Sequence, residues 1–270
     1  MINNTTGPIL DIHHHIGPRD RLSGTDEDYD FEAAAEKHLR VMDDYGIAEA
    51  CLIASHNARI SGTDDVRWLN TRVAEVTAAH PDRFVACAGT VDPGLGADGI
   101  KEVEFCAREL GMNALAWHAR FAGMPIDSPS ITRYVQVAAD LDTPIMMHMM
   151  AESNWEAPWR LVRIAEQVPN ARILALDAFT ALHQVEWVLA VGAKVPNVIF
   201  ETAFLRSCSM LLEKLVASHG AGQIVFGSGY YDDTRTRAPG ALSEFAAMDI
   251  TDDDLRLMVR DNARQFLGLA

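Results

Sequence analysis

The stretch PILDIHHHIG, residues 8–17, decides how the rest of the chain is read. Within it, an apolar run of strand length carries three consecutive histidines, His13, His14 and His15. Side chains on a strand alternate between faces, so the pattern groups Asp11, His13 and His15 on one face and sends His14 to the other. Two imidazoles spaced two residues apart can reach one divalent ion. Zinc takes such nitrogens at about 2.0–2.1 Å and, in catalytic sites, keeps an open position. A tag remnant does not fit, because the trio is short and continues a natural strand.

Reading outward, similar runs recur along the chain: AEACLIAS, RFVACAGTV, NALAWHAR, TPIMMHMM, ARILALDAF, NVIFETAF and QIVFGSG. Between them lie longer segments such as FEAAAEKHLRVMDDYG and DDVRWLNTRVAEVTAAHP, with apolar residues near i, i+3, i+4 and i+7. That spacing marks one buried helix face, and several of the segments stop at Gly or Pro. Strand-like runs that alternate with helices predict a parallel sheet, and closing it into a single (β/α)8 barrel over residues 1–270 leaves no exposed edge. An open doubly wound sheet is the competing architecture, but no G-x-G-x-x-G follows the first run.

In such a barrel chemistry sits at the carboxyl ends of the strands. The rule collects Asp11, His13 and His15 from the first run, then Ser55, His56 and Asn57, then Thr90 and Asp92. His118 and Arg120 follow the fourth run, His148 the fifth, Asp177 the sixth, Glu201 the seventh, and Ser228 and Gly229 the eighth. His148 joins His13 and His15 as a third neutral imidazole for zinc or a similar borderline ion, in one site.

Composition narrows the rest. The chain has 270 residues, 49% of them hydrophobic, and a formal net charge of −15, which argues against nucleic acid or an anionic membrane surface as partner. No apolar run approaches the roughly 18 residues of a membrane span, and no signal peptide opens the sequence. The four cysteines, Cys51, Cys87, Cys106 and Cys208, are widely spaced, which suits a reducing cytoplasm. The acidic cluster Asp26, Glu27, Asp28 and Asp30 reads as a solvated loop, since it lacks the glycine and closing glutamate of a calcium loop.

The motifs together resemble the amidohydrolase superfamily, in particular the group that includes aminocarboxymuconate semialdehyde decarboxylase. DIHHHIG is similar to the family's D-x-H-x-H opening, LDTPIMMHM to its fifth-strand histidine segment, and VPNVIFET to its seventh-strand segment. AHPDRFVACAGTVDP and DNARQFLGL extend the match across nearly the whole chain. The resemblance implies a metal-dependent barrel enzyme that hydrolyses an amide, ester or lactone, or decarboxylates a small carboxylate-bearing substrate. It maps His13, His15 and His148 onto the metal ligands and sets His118 in a fourth-strand segment where some relatives hold an active-site group.

Two departures stand out. QIVFGSG carries Gly229 where the family's F-G-S-D has an aspartate, so a charge and a general base are missing. On the sixth strand ILALDAF puts Leu176 or Asp177 where the family has a histidine; Asp177 is the one able to act as acid, base or extra ligand. Glu201, Asp232 and Asp233 are further carboxylates that could compensate.

For substrate contacts the reading assigns Arg120 as a two-pronged carboxylate clamp. Trp155, with Trp159, forms an aromatic lid, and Tyr230 (or its neighbour Tyr231) brings a phenol to the place of the missing aspartate. The remaining histidines, His38, His80, His183 and His219, read as structural or surface residues. A small-molecule substrate is the expected partner, and the outer helices leave room for self-association. A barrel that has lost metal chemistry and only binds is the alternative, favoured by Gly229.

Overall fold

Eight short apolar runs do form strands, and the segments between them form helices. The computed structural model describes residues 7–18, 29–55, 62–150, 152–203, 205, 209–232 and 239–269. The strands are β1 (Ile9–Ile16), β2 (Ile47–Ala54), β3 (Phe84–Thr90), β4 (Ala114–Trp117), β5 (Ile145–His148), β6 (Ile173–Leu176), β7 (Val198–Glu201) and β8 (Ile224–Val225). Helices α1 (Phe31–Tyr45), α2 (Thr63–Ala79), α3 (Gly96–Arg108), α4 (Pro129–Asp140), α5 (Pro158–Gln167), α6 (Leu182–Val191) and α7 (Ser209–His219) connect them. A two-residue strand β9 (Tyr230–Tyr231) follows, then α8 (Gly240–Ala247), α9 (Asp252–Arg256), a π-helical turn at Leu257–Asp261 and α10 (Asn262–Leu267).

Local chemistry sets the helix ends. Asp30 caps α1 by accepting the Ala33 N–H, and Gly46, at φ 68°, ends the helix in the left-handed conformation. Ser128 caps α4 ahead of Pro129, which occupies the first turn where its missing N–H costs nothing.

Each strand from β1 to β7 pairs in parallel with the next in sequence, and β9 pairs with β1. The order is therefore sequential and the ring closes, as a (β/α)8 barrel requires; a doubly wound sheet would reverse direction partway. Closure runs through an interrupted eighth strand. Its first half, β8, pairs with β7, and its second half, β9, pairs with β1. Across the gap the Ile12 N–H donates to the Phe226 carbonyl at 3.2 Å. The Phe226 N–H in turn donates to the Met258 carbonyl in the π-helical turn, at 2.8 Å.

The buried residues fall into two layers. An outer layer between strands and helices contains Ile9, Ile16, Leu52, Leu115 and Trp117. The lumen holds Leu10, Ile12, Cys51, Ile53, Met146, Leu174 and Leu176, together with the small residues Ala86, Ala88, Ala114 and Ala116 of β3 and β4. Phe266 and Leu267 of α10 join this inner cluster. Burying each large aliphatic side chain contributes about 1.5–3 kcal/mol before entropy is counted.

The first strand corrects one expectation. Asp11 lies opposite Ala50 and His14 opposite Leu52, so three steps on β1 match two on β2. That extra residue is a β-bulge, and it switches the facing of everything beyond it. Asp11 consequently shares a side with His14 rather than with His13 and His15. Its Oδ1 accepts the N–H groups of His13 (3.0 Å) and Ser228 (2.9 Å), and its Oδ2 lies 2.9 Å from His14 Nε2. Burial pushes the Asp11 carboxyl up, but His14 and these donors outweigh it and hold it below its ordinary 3.8.

Replacing Asp11 with alanine would leave two buried N–H groups without their acceptor and cost about 3–5 kcal/mol. Because the folded-state pKa is depressed, the carboxylate's contribution is complete above the unfolded value and is lost as pH falls through the folded one. Urea unfolding of Asp11→Ala against the parent should therefore show a constant gap near neutral pH that narrows only below about pH 4.

Candidate metal centre

At the carboxyl ends of the strands a cavity of about 420 Å³ opens, lined among others by His13, His118, His148 and Asp177. The bulge in β1 puts His13 on its wall and His15 on the same face of the strand, and their Nε2 atoms stand 2.8 Å apart. Each of the two proposed outer ligands, His13 and His148, has a buried carboxylate behind its other nitrogen. His13 Nδ1 lies 3.1 Å from Glu201 Oε2, and His148 Nδ1 lies 3.0 Å from Glu156 Oε2. A carboxylate at Nδ1 fixes the ring and leaves Nε2 to face the cavity.

Glu201 sits at the end of β7 and is completely buried. Besides His13 it accepts the backbone N–H groups of Asp177, at 2.8 Å, and of Ala203. Its oxygens are thus committed to orienting neighbours. Gly227 makes room for it: a Cβ there would stand 2.1 Å from Glu201 Oε1. Burial lowers the His13 pKa, but Glu201, with Asp177 and Asp11, overrides this and raises it to about 9. Burial, opposed by His13, lifts Glu201 above its ordinary 4.5. The proton of the pair resides on His13, because the backbone donors favour an ionised Glu201.

On the sixth strand both candidates have a place. Leu176 pairs in register with His148 and points into the lumen as core. Asp177 follows at φ 58°, in the left-handed region that non-glycine residues seldom occupy. Its N–H is held by Glu201 and its C=O by Gln184 Nε2 at 2.7 Å. That turn brings Asp177 Oδ2 to 3.3 Å from His148 Nε2, while Oδ1 is buried with no hydrogen-bond partner among the described residues.

The donor set fits a divalent cation. The Nε2 atoms of His13 and His15 stand together, His13 and His148 both line the cavity, and Asp177 beside His148 carries an orphaned buried oxygen. His13, Asp177 and Glu201 offer ligand atoms within 4.8 Å of one another. The carboxylate that the missing strand-eight aspartate would bring is absent at Gly229, a left-handed residue at φ 65° that lines the cavity.

Around this centre the other predicted residues divide. His118 stacks on His148, with ring centroids 4.1 Å apart and planes at 26°. Arg120 lines the cavity and reaches towards Glu156, Nε to Oε2, at 3.8 Å. The phenol at the mouth belongs to Tyr231, which stacks on His15 at 4.2 Å, and not to Tyr230. In the parallel pairing Tyr230 is the partner of His14 and Tyr231 of His15, so Tyr230 shares His14's outward facing. Tyr230 instead packs on His14 and His38, and His38 is a buried residue 3.0 Å from His14.

The two tryptophans assigned to the lid have these surroundings. Trp155 is 42% exposed and is not among the residues lining the cavity, and Trp159 packs on Trp187. Trp155 contributes its backbone, whose C=O accepts the Ile126 N–H at 2.9 Å. Asp232 does not swing into the mouth; it accepts from the Tyr29 hydroxyl at 2.9 Å. Asp92 caps a loop turn by accepting the Gly94 N–H. His56, Asn57, Asp233, Cys208 and the acidic residues Asp26, Glu27 and Asp28 lie outside the described residues. Glu156 escaped the sequence reading, because an acid eight residues beyond His148 in a loop carries no periodic signal.

This chain belongs to the amidohydrolase family, whose profile matches residues 10–269. Solved structures agree with the fold. A 5-carboxyvanillate decarboxylase from Novosphingobium aromaticivorans, solved with manganese and 3-methoxy-4-hydroxy-5-nitrobenzoic acid, superposes with a TM-score of 0.75 at 15% identity over 99% of each chain. A 2,6-dihydroxybenzoate decarboxylase from Rhizobium gives 0.71 at 18% identity over 97% of this chain and 98% of that one. A dihydroxybenzoic acid decarboxylase from Polaromonas sp. JS666, with manganese and 2-nitroresorcinol bound, gives 0.71 at 16% identity over 97% of both. No curated protein matches the chain. Among the described residues no helix is long and apolar enough to cross a membrane.

Two substitutions test the geometry. Asp177→Gly relieves the left-handed backbone and the repulsion with Glu201, and should raise stability by about 1 kcal/mol in urea unfolding. Gly227→Ala forces Glu201 away from His13 and should cost about 1–3 kcal/mol. Gly222→Ala, where a Cβ meets nothing within 4 Å, serves as its control.

Proposed function

We propose that this chain is a divalent-metal-dependent enzyme that decarboxylates a small, carboxylate-bearing substrate. The observations that support the reading are the pairing of His13 with His15 and the approach of His148 to Asp177, whose second oxygen is orphaned, at a cavity whose strand-eight position is the bare Gly229. The nitrogen-rich donor set suits zinc, and Asp177 as an added oxygen ligand would also admit manganese. When bound, the ion acts as a Lewis acid that polarises a substrate oxygen and draws off negative charge.

The chain's own groups supply the rest. Arg120 pairs its planar fork with a substrate carboxylate. Tyr231 and Met149, both on the cavity wall, exclude water on the apolar side. As the bond to the carboxyl group breaks, its electron pair remains on the substrate carbon, which must gain a proton. His118 or Asp177, both lining the cavity, delivers it from its protonated form. Hydrolysis asks for a carboxylate at strand eight to take the proton of an attacking water, and Gly229 lacks one. A barrel that only binds is the second reading, which the same glycine favours.

Elemental analysis of protein purified without chelator should find about one divalent ion per chain, and His148→Ala should lose it. Metal-free parent protein would sink the enzymatic reading in favour of binding. Release of CO2 from a panel of small aromatic carboxylic acids separates decarboxylation from hydrolysis. His13, raised to about 9, keeps its proton at neutral pH in the metal-free site. Zinc must displace that proton, so affinity rises with pH up to about 9, and calorimetry in buffers of different ionisation enthalpy should show about one proton released.

A further inference from the structure

The loop between β5 and α5 buries a carboxylate that no part of the proposed chemistry consumes. Glu156 is completely inaccessible, and an ionised group in that position is costly unless its oxygens are engaged. They are engaged in two directions. Oε2 lies 3.0 Å from His148 Nδ1, and Oε1 accepts the Arg120 backbone N–H at 3.2 Å. The Arg120 side chain approaches from the same side, with Nε 3.8 Å from Oε2. The residue's own carbonyl accepts the Met150 N–H at 3.0 Å, and Trp155 binds Ile126 through its carbonyl at 2.9 Å, so the loops after β4 and β5 are joined at this point.

We propose that Glu156 is a positioning residue that sets the tautomer of His148 and, through the same carboxylate, the seat of Arg120. The inference rests on reading His148 as a metal ligand. A carboxylate can only accept, and the contact at Nδ1 is the shorter one, 3.0 Å against 3.3 Å from Asp177 Oδ2 to Nε2, so Glu156 draws the His148 proton to Nδ1 and leaves the Nε2 lone pair facing the cavity. Glu201 performs the same service for His13 on the opposite wall. What distinguishes Glu156 is its second hold on Arg120, which makes one buried group responsible for both the ion-facing nitrogen and the substrate-facing guanidinium.

Glu156→Gln tests this without changing volume. The amide oxygen can still accept from the Arg120 N–H, but the amide NH2 then faces Nδ1 and can only donate, which moves the His148 proton to Nε2. Zinc titrated calorimetrically into the metal-free protein should bind about 10–100-fold more weakly than to the parent. Nitrogen-15 NMR should show the Nδ1-bound proton of His148 in the parent and its loss in the variant. Glu156→Ala, which removes both acceptors, should in addition speed solvent exchange of the Arg120 amide about tenfold.

Zinc affinity and tautomer unchanged in Glu156→Gln, with only a lower melting temperature, would mean a structural role and overturn the proposal. Unaltered exchange at Arg120 in Glu156→Ala would overturn its second half. If the parent binds no zinc, the metal reading fails, and the tautomer still decides the positioning role. Should Glu156→Gln fail to fold, the parent alone decides, since a His148 without a proton on Nδ1 overturns the inference.

Discussion

The carboxylate of Asp11 is the contact on which the rest depends. It occupies the one place where the barrel has no continuous strand, between β1 and the interrupted eighth strand, and satisfies N–H groups from both sides of the break. The bulge it caps gives β1 its extra residue, and that residue turns His13 and His15 into the lumen mouth directly after Ile12. An unbulged strand continuing the facing of Leu10 and Ile12 would carry His14 inward and leave the other two against the helices. Closure of the ring and aim of the histidines are therefore one event.

Around the mouth the electrostatics are balanced by layers. Imidazoles face the cavity, and buried carboxylates stand behind them: Glu201 behind His13, Glu156 behind His148. Asp177 completes the set from an unusual backbone conformation that Glu201 and Gln184 hold at its N–H and C=O. Strain of this kind persists only where neighbours over-determine it, and it concentrates at working sites. Asp177 thus brings negative charge to the mouth from the sixth strand, while Gly229 on the eighth carries none.

Much of this was legible in the residues. Alternating apolar runs and helical periods predict the barrel, because each period buries one face and the two kinds of face must meet. The candidate histidines and Asp177 could be picked out because strand ends in such a barrel share one mouth. Positions within that mouth were less readable. Tyr230 and Tyr231 are neighbours in sequence, yet only the pairing with His14 and His15 tells which one faces the cavity. Trp155 follows a candidate ligand closely, but a loop has no fixed period, and the residue is exposed while its backbone ties two loops together.

By itself, then, the sequence determined the architecture through its periodicity, the family through its motifs, and most of the imidazoles and carboxylates at one end of the barrel through their places at the strand ends. Only the tertiary structure decided that Asp11 sides with His14, and that Glu201 stands at Nδ1 of His13 and Glu156 at Nδ1 of His148. Those facts hang on a single-residue bulge, on strand register, and on contacts between segments up to 217 residues apart, none of which leaves a local trace.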